Sequence, residues 1–236
     1  MAEGDVLQFA AEVVAVSASG VLAPGPLFVA NVLYGAKGGR LSGIRMAHGH
    51  AAVELAVIIA IAAGLFTASA FASSLKGMIA LAGGAAMLGF AALQIATAAS
   101  EGRLKKTGGS MAKEGGFWPA AAAGRGPFGV GAVLTAFNPF FIAWWLTAGL
   151  KLISDSAAFG PPSPAAGVAL LFSLHVWMDY AWLGATAYLA AKGGHRLLQS
   201  SKYYRMMLAG LAAALAYYGV QSIMNGAKEL LPLLGP

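Results

Sequence analysis

Long apolar runs alternate with short polar patches along the chain, and six of the runs are long enough to cross a bilayer. A membrane helix needs roughly 20 mainly apolar residues. The pattern predicts spans at about 6–34, 46–70, 75–99, 127–151, 165–191 and 204–226. The first is long enough to need a tilt or a break, and it contains "LAPGP". There Pro24, Gly25 and Pro26 interrupt flanks that both read as helix. Proline removes a backbone donor and clashes with the preceding turn, and glycine adds flexibility. The third run, "LAGGAAMLGFAALQ", carries small residues that let helices approach closely.

Composition turns this pattern into a fold class. Of 236 residues, 58% are hydrophobic and 10% charged, where a soluble domain carries about a quarter charged residues. Mean hydropathy is +0.71. The expectation is an all-α polytopic membrane protein. Without cysteine, disulfides, iron–sulfur clusters and thiolate metal sites are excluded, and no cofactor is expected. The start, "MAEGD", lacks a basic signal-peptide region, so the first apolar run is expected to be retained as a span.

The net charge of +6 gains its meaning from where the basic residues fall. Twelve lie in alternate connections: Lys37, Arg40 and Arg45 in the first, Arg103, Lys105, Lys106, Lys113 and Arg125 in the third, and Lys192, Arg196, Lys202 and Arg205 in the fifth. Only Lys76, Lys151 and Lys228 lie on the other side. This bias puts the basic loops in the cytoplasm and both termini outside, in a multi-pass protein of the inner or plasma membrane. The bilayer and its anionic lipids are the expected partners of these residues, and nucleic acid is not. Small-residue faces permit a homodimer without demanding one. Glu12, near the outer end of the first span, reads as a side chain that snorkels to the interface.

The chain divides into residues 1–99, a Gly-, Ala- and Lys/Arg-rich cytoplasmic linker at 100–126, and residues 127–236. Each half carries three spans, so the second enters from the opposite side, as in transporters with a 3+3 inverted repeat. "LAPGPLFVANVLYGA" aligns with "TAFNPFFIAWWLTAG", pairing Pro26 with Pro139, Gly25 with Asn138, Phe28 with Phe141 and Leu33 with Leu146. The expected breaks therefore sit in spans 1 and 4. Asn138 before Pro139 reads as an N-cap followed by proline at the first helical position, and Gly25 before Pro26 as a weaker version of the same start. Each would begin a half-helix inside the membrane, with free N–H groups and a positive dipole end that favour an anion.

His50 and Glu54 lie four residues apart in the second span, and His175 and Asp179 repeat that spacing in the fifth. Four residues place both side chains on one helix face. Glu54 is eight residues into its span, or ~12 Å deep, and an acid at the bilayer centre costs about 3 kcal/mol on insertion scales. Such a residue marks a pathway or binding site by default, and a His–acid pair in a gated cavity can exchange a proton. His48 is a poorer match to the same face. Trp144, Trp145, Trp177, Tyr180 and Trp182 stand nearby to pack a side chain or contact a cation. Two half-helix starts for a carboxylate and two acids for an ammonium group describe a zwitterionic ligand.

"LAPGP", the glycine-spaced "GAKGGRLSGIRMAHGHAAVEL", "NP" in the fourth span and "DYAW" in the fifth resemble the lysine-exporter (LysE/RhtB-type) family over nearly the whole chain. The glycines are Gly35, Gly39 and Gly43. The family's second signature reads Asn-Pro-Lys, where this chain has Asn138, Pro139 and Phe140. The resemblance implies a small exporter of amino acids working against protons. Relatives in the wider superfamily move metal ions, and His50, Glu54, His175 and Asp179 form a donor set suited to a divalent metal. Enzyme activity is not expected, because the His-Glu-x-x-His spacing of an intramembrane zinc hydrolase is missing.

Overall fold

The computed structural model describes residues 3–23, 25–69, 74–104, 124–159, 163–193 and 201–231. All regular structure among them is helical. Helix α1 spans Glu3–Val21, α2 Pro26–Ser69 and α3 Ser74–Leu104. In the second half, α4 spans Pro127–Ala136 and α5 Pro139–Trp144. A π-helical turn, Trp145–Gly149, carries α5 into α6, Leu150–Ser156. Helices α7, Pro164–Ala191, and α8, Ser201–Leu230, complete the bundle.

Among the described residues, four helices are long and apolar enough to cross a membrane, and five when the bent pair Pro127–Ala136 and Pro139–Phe159 counts as one span. Helix α1, which carries Glu3, Asp5 and Glu12, is not among them. Most of the expected linker, residues 105–123, lies outside the described residues, and α3 runs to Leu104.

Both expected helix breaks are present. The first separates α1 from α2 around Leu22–Gly25, and the second bends the chain by 57° between α4 and α5. The first connection differs from expectation. Lys37, Arg40 and Arg45 are not in a loop but on α2, which continues through a sharp kink at Gly39. With φ 62° and ψ −158°, Gly39 occupies backbone space that a side chain would forbid, so one residue does the work of a loop.

Close backbone contacts hold the bundle together. Helix α2 lies along α7, where a methyl group on Gly35 or Gly43 would overlap the backbone of Ala187 or Leu183. Asn31 fastens the same seam, donating from Nδ2 to Leu183 O at 2.8 Å and to Thr186 Oγ1 at 2.7 Å. Helices α3 and α8 pack antiparallel through Gly84 against Gly219 and Gly77 against Gly226. The seven-residue spacing on both helices keeps these small residues on one seam.

The apolar core has two parts. The larger gathers side chains of α1, the second half of α2, α3, the π-turn, α6, α7 and α8 around Trp145, Ile58 and Leu171. The smaller joins Ala30 and Met46 of α2 to Val130 and Leu134 of α4. Along α2, His50 and Glu54 fall between Met46 of one cluster and Ile58 of the other.

A candidate cargo site between the two helix breaks

The breaks in α1–α2 and α4–α5 line one cavity of about 330 Å³. Gly25 and Pro26 contribute from the first break and Asn138 from the second. Pro139 opens α5 directly behind Asn138 and does not line the space. Pro24 lies outside the described residues.

The two breaks are finished differently. Asn138 is extended, and its Oδ1 accepts from Phe140 N at 3.0 Å, as an N-cap side chain does. One N–H at the start of α5 is therefore spent on the chain itself. Gly25 has no side chain with which to cap α2, and its carbonyl accepts from Val29 N at 3.1 Å. On the other flank of this break, Gln94 of α3 donates to Ser19 O at 2.9 Å. The freed carbonyl of a broken helix is thus satisfied by a neighbour, as a buried break requires.

His50, Glu54, His175 and Asp179 all face this cavity. Each is at most 8% exposed, and Glu54 only 1%. His175 Nε2 lies 2.9 Å from Glu54 Oε1 and 3.4 Å from Asp179 Oδ2. His50 Nε2 lies 3.5 Å from both Glu54 Oε1 and Asp179 Oδ1. The two His-x-x-x-acid pairs of the sequence therefore form one cluster in which each imidazole faces both carboxylates. Single ligand atoms of His50, Glu54 and Asp179 lie within 4.8 Å of one another, a spacing that a metal ion can bridge.

Two further residues support the cluster, Trp145 from the aromatic candidates and Thr135, which carries no signal in the sequence. Trp145 Nε1 donates to Glu54 Oε1 at 3.2 Å. It reaches that position from the π-helical turn, with its ring lying where a side chain on Gly149 would have to be. Single π-turns recur at functional sites because they re-aim one side chain without breaking the helix. Thr135 Oγ1 lies 2.7 Å from His50 Nδ1. Glu54 Oε2, Asp179 Oδ2 and His175 Nδ1 are buried with no hydrogen-bond partner.

The aromatic candidates divide. Trp144, Trp145 and Trp182 line the cavity. Trp177 is 53% exposed on the outer surface of the bundle. Tyr180 packs edge-on against His48 at 5.0 Å, and His48, with Nδ1 2.8 Å from Ile44 O, stands away from the cluster. Phe140, directly after Asn138 and Pro139, lines the cavity and packs against Phe90 with ring centroids 4.9 Å apart.

A second, partly buried charge cluster joins α1 to α6. Lys151 is paired with Glu12 and, at 2.6 Å, with Asp155. Glu12 is therefore not a free side chain snorkelling to the interface. Its partner is 139 residues away, a contact that no local pattern announces.

A protein-family model described as "LysE type translocator" matches residues 18–226. No curated protein and no solved structure matches the chain.

Proposed function

The chain belongs to the LysE type translocator family, and from that premise we propose that it exports an amino acid or similar small zwitterion across the cell membrane in exchange for protons. The observation that carries this reading is the His50–Glu54–His175–Asp179 cluster, buried in a cavity that both helix breaks line. At about 330 Å³ the cavity is at the small end of ligand sites, which run from about 300 to 1,000 Å³. Glu54 and Asp179 compensate the cargo ammonium or take the coupling proton, and the unspent oxygens Glu54 Oε2 and Asp179 Oδ2 provide acceptors for either. His50 and His175 tune them. The uncapped start of α2 at Gly25 and Pro26 suits the cargo carboxylate better than the start of α5, where Asn138 occupies a donor.

The architecture that goes with this reading has six spans in two inverted halves, residues 1–99 and 127–236, with α1 and the first part of α2 forming one broken span. Pro24, Gly25, Pro26, Asn138 and Pro139 form the two gates, and one half rocks against the other to expose the site alternately. Both termini lie outside and the basic connections inside. Proteoliposome counterflow with a panel of labelled amino acids tests the reading. Wild-type protein exchanges at least one of them, and Asp179→Asn and Glu54→Gln lose that exchange. Unchanged transport in both variants overturns the assigned roles.

The close grouping of His50, Glu54 and Asp179 favours a second reading, in which the cargo is a divalent metal ion. Metal bound by purified protein and lost in a His50/His175 double variant, with no amino-acid exchange, selects it.

A further inference from the structure

We infer that Thr135 is a positioning residue that fixes which nitrogen of His50 faces the carboxylates. The argument is a count of hydrogens. Thr135 Oγ1 lies 2.7 Å from Gly131 O, one turn back on α4. A carbonyl oxygen carries no hydrogen, so the single hydroxyl hydrogen of Thr135 must lie between the two oxygens. The same Oγ1 lies 2.7 Å from His50 Nδ1. Its hydrogen being spent, it can only accept there, and Nδ1 must carry one. His50 therefore presents Nε2, the nitrogen 3.5 Å from both Glu54 and Asp179, as its variable position.

The surroundings hold this arrangement. Thr135 is 1% exposed and His50 8% exposed, so bulk solvent has little access to either side chain. Phe141 packs edge-on against the imidazole, with centroids 5.5 Å apart. On α2, Gly49 lies against the backbone of Phe128 and Ala132, and on α4, Gly131 lies against that of Met46, leaving no room for a side chain at either. These glycines bring α4 close enough for a short hydroxyl to reach the ring. His175 has no equivalent, since its Nδ1 is buried without a partner. The two histidines are thus unequal: one has an imposed tautomer, and the other is held by its Nε2 contacts and by the Trp145 ring, 5.3 Å away, neither of which selects a tautomer. A hydrogen bond to the far nitrogen is the common means of fixing a histidine that must present the other one. It leaves Nε2 available to a proton, a cargo group or a cation.

The role in transport rests on the exporter reading, whereas the tautomer does not. Solid-state ¹⁵N NMR of histidine-labelled protein in lipid bilayers reads it directly, with His50 assigned by difference against His50→Gln. The expected result, read at a pH where His50 is neutral because an imidazolium carries both protons, is a protonated Nδ1 on His50 in the wild type, lost in Thr135→Val and kept in Thr135→Ser. Valine has the shape of threonine, and unchanged His175 signals report an intact site. Transport is expected to fall about 10–100-fold in Thr135→Val, the usual effect of removing an outer hydrogen-bond partner, and to return in Thr135→Ser. An unprotonated Nδ1 in the wild type overturns the inference, as does a Thr135→Val spectrum like that of the wild type. A changed tautomer with wild-type transport overturns the positioning role. Wild-type protein that moves no amino acid or cation overturns the exporter reading, and the spectra still decide the tautomer.

Discussion

His175 Nε2 on α7 lies 2.9 Å from Glu54 Oε1 on α2, although 121 residues separate them. This contact joins the two halves of the chain at the centre of the cluster. In water-excluded surroundings a pair of this kind is strongly coupled. A double-mutant cycle with His175→Asn and Glu54→Gln, read from unfolding in detergent, should give a coupling of about 0.5–3 kcal/mol. Additive effects would show that the two side chains do not act as a pair.

Trp145→Phe keeps the ring in the π-turn and removes the N–H that Glu54 accepts. A hydrogen bond to a charged group contributes about 1.5–3 kcal/mol, and at 3.2 Å the lower end applies. Thermal unfolding should show that loss, together with weaker transport. Wild-type values for both would mean that the indole contributes packing alone.

The cap at the second break can be tested without touching the cluster. Asn138→Ala leaves Phe140 N without its acceptor, at a cost of about 1 kcal/mol. Asn138→Asp retains an oxygen in the same place and should keep most of the stability. Equal loss in both variants would assign Asn138 a role other than capping.

Lys151→Met should destabilise the protein by about 1–3 kcal/mol, because it leaves the partly buried Glu12 and Asp155 without their cation. Adding Glu12→Gln to Lys151→Met should recover part of the loss, since one uncompensated charge is then removed. A denaturation midpoint unaffected by Lys151→Met would show that the pair is solvated in the membrane-embedded protein.

Gly131→Ala forces a methyl group into the Met46 backbone. Overpacking of this kind costs about 1–3 kcal/mol, and here it also separates Thr135 from His50. Reduced stability with reduced transport is expected. An alanine accepted at no cost in either would mean that α2 and α4 can separate freely.

Much of this protein is determined by its sequence alone. Helix class and membrane character follow from apolar runs, because an apolar segment in a bilayer must satisfy its backbone internally. The breaks at Gly25–Pro26 and Asn138–Pro139 were legible because proline acts on its own backbone and on the turn before it. His50, Glu54, His175 and Asp179 stood out because polar groups are costly in apolar segments. The polar stretch around Lys37 and Arg40 reads as a connection between two helices, and the structure makes it with a kink at the single residue Gly39 rather than with a loop, a compactness the polar pattern does not show.

Tertiary structure decided what those residues do to one another. The meeting of His50 and Glu54 with His175 and Asp179, the reach of Trp145 to Glu54 and of Thr135 to His50, and the pairing of Glu12 with Lys151 all join residues at least 85 positions apart. Hydropathy and Pro/Gly patterns report the conformation of a few consecutive residues, whereas these contacts depend on how closely and at what rotation whole helices pack. Glycines set that approach at the α2–α7, α2–α4 and α3–α8 seams, and which backbone each would touch exists only in the assembled bundle.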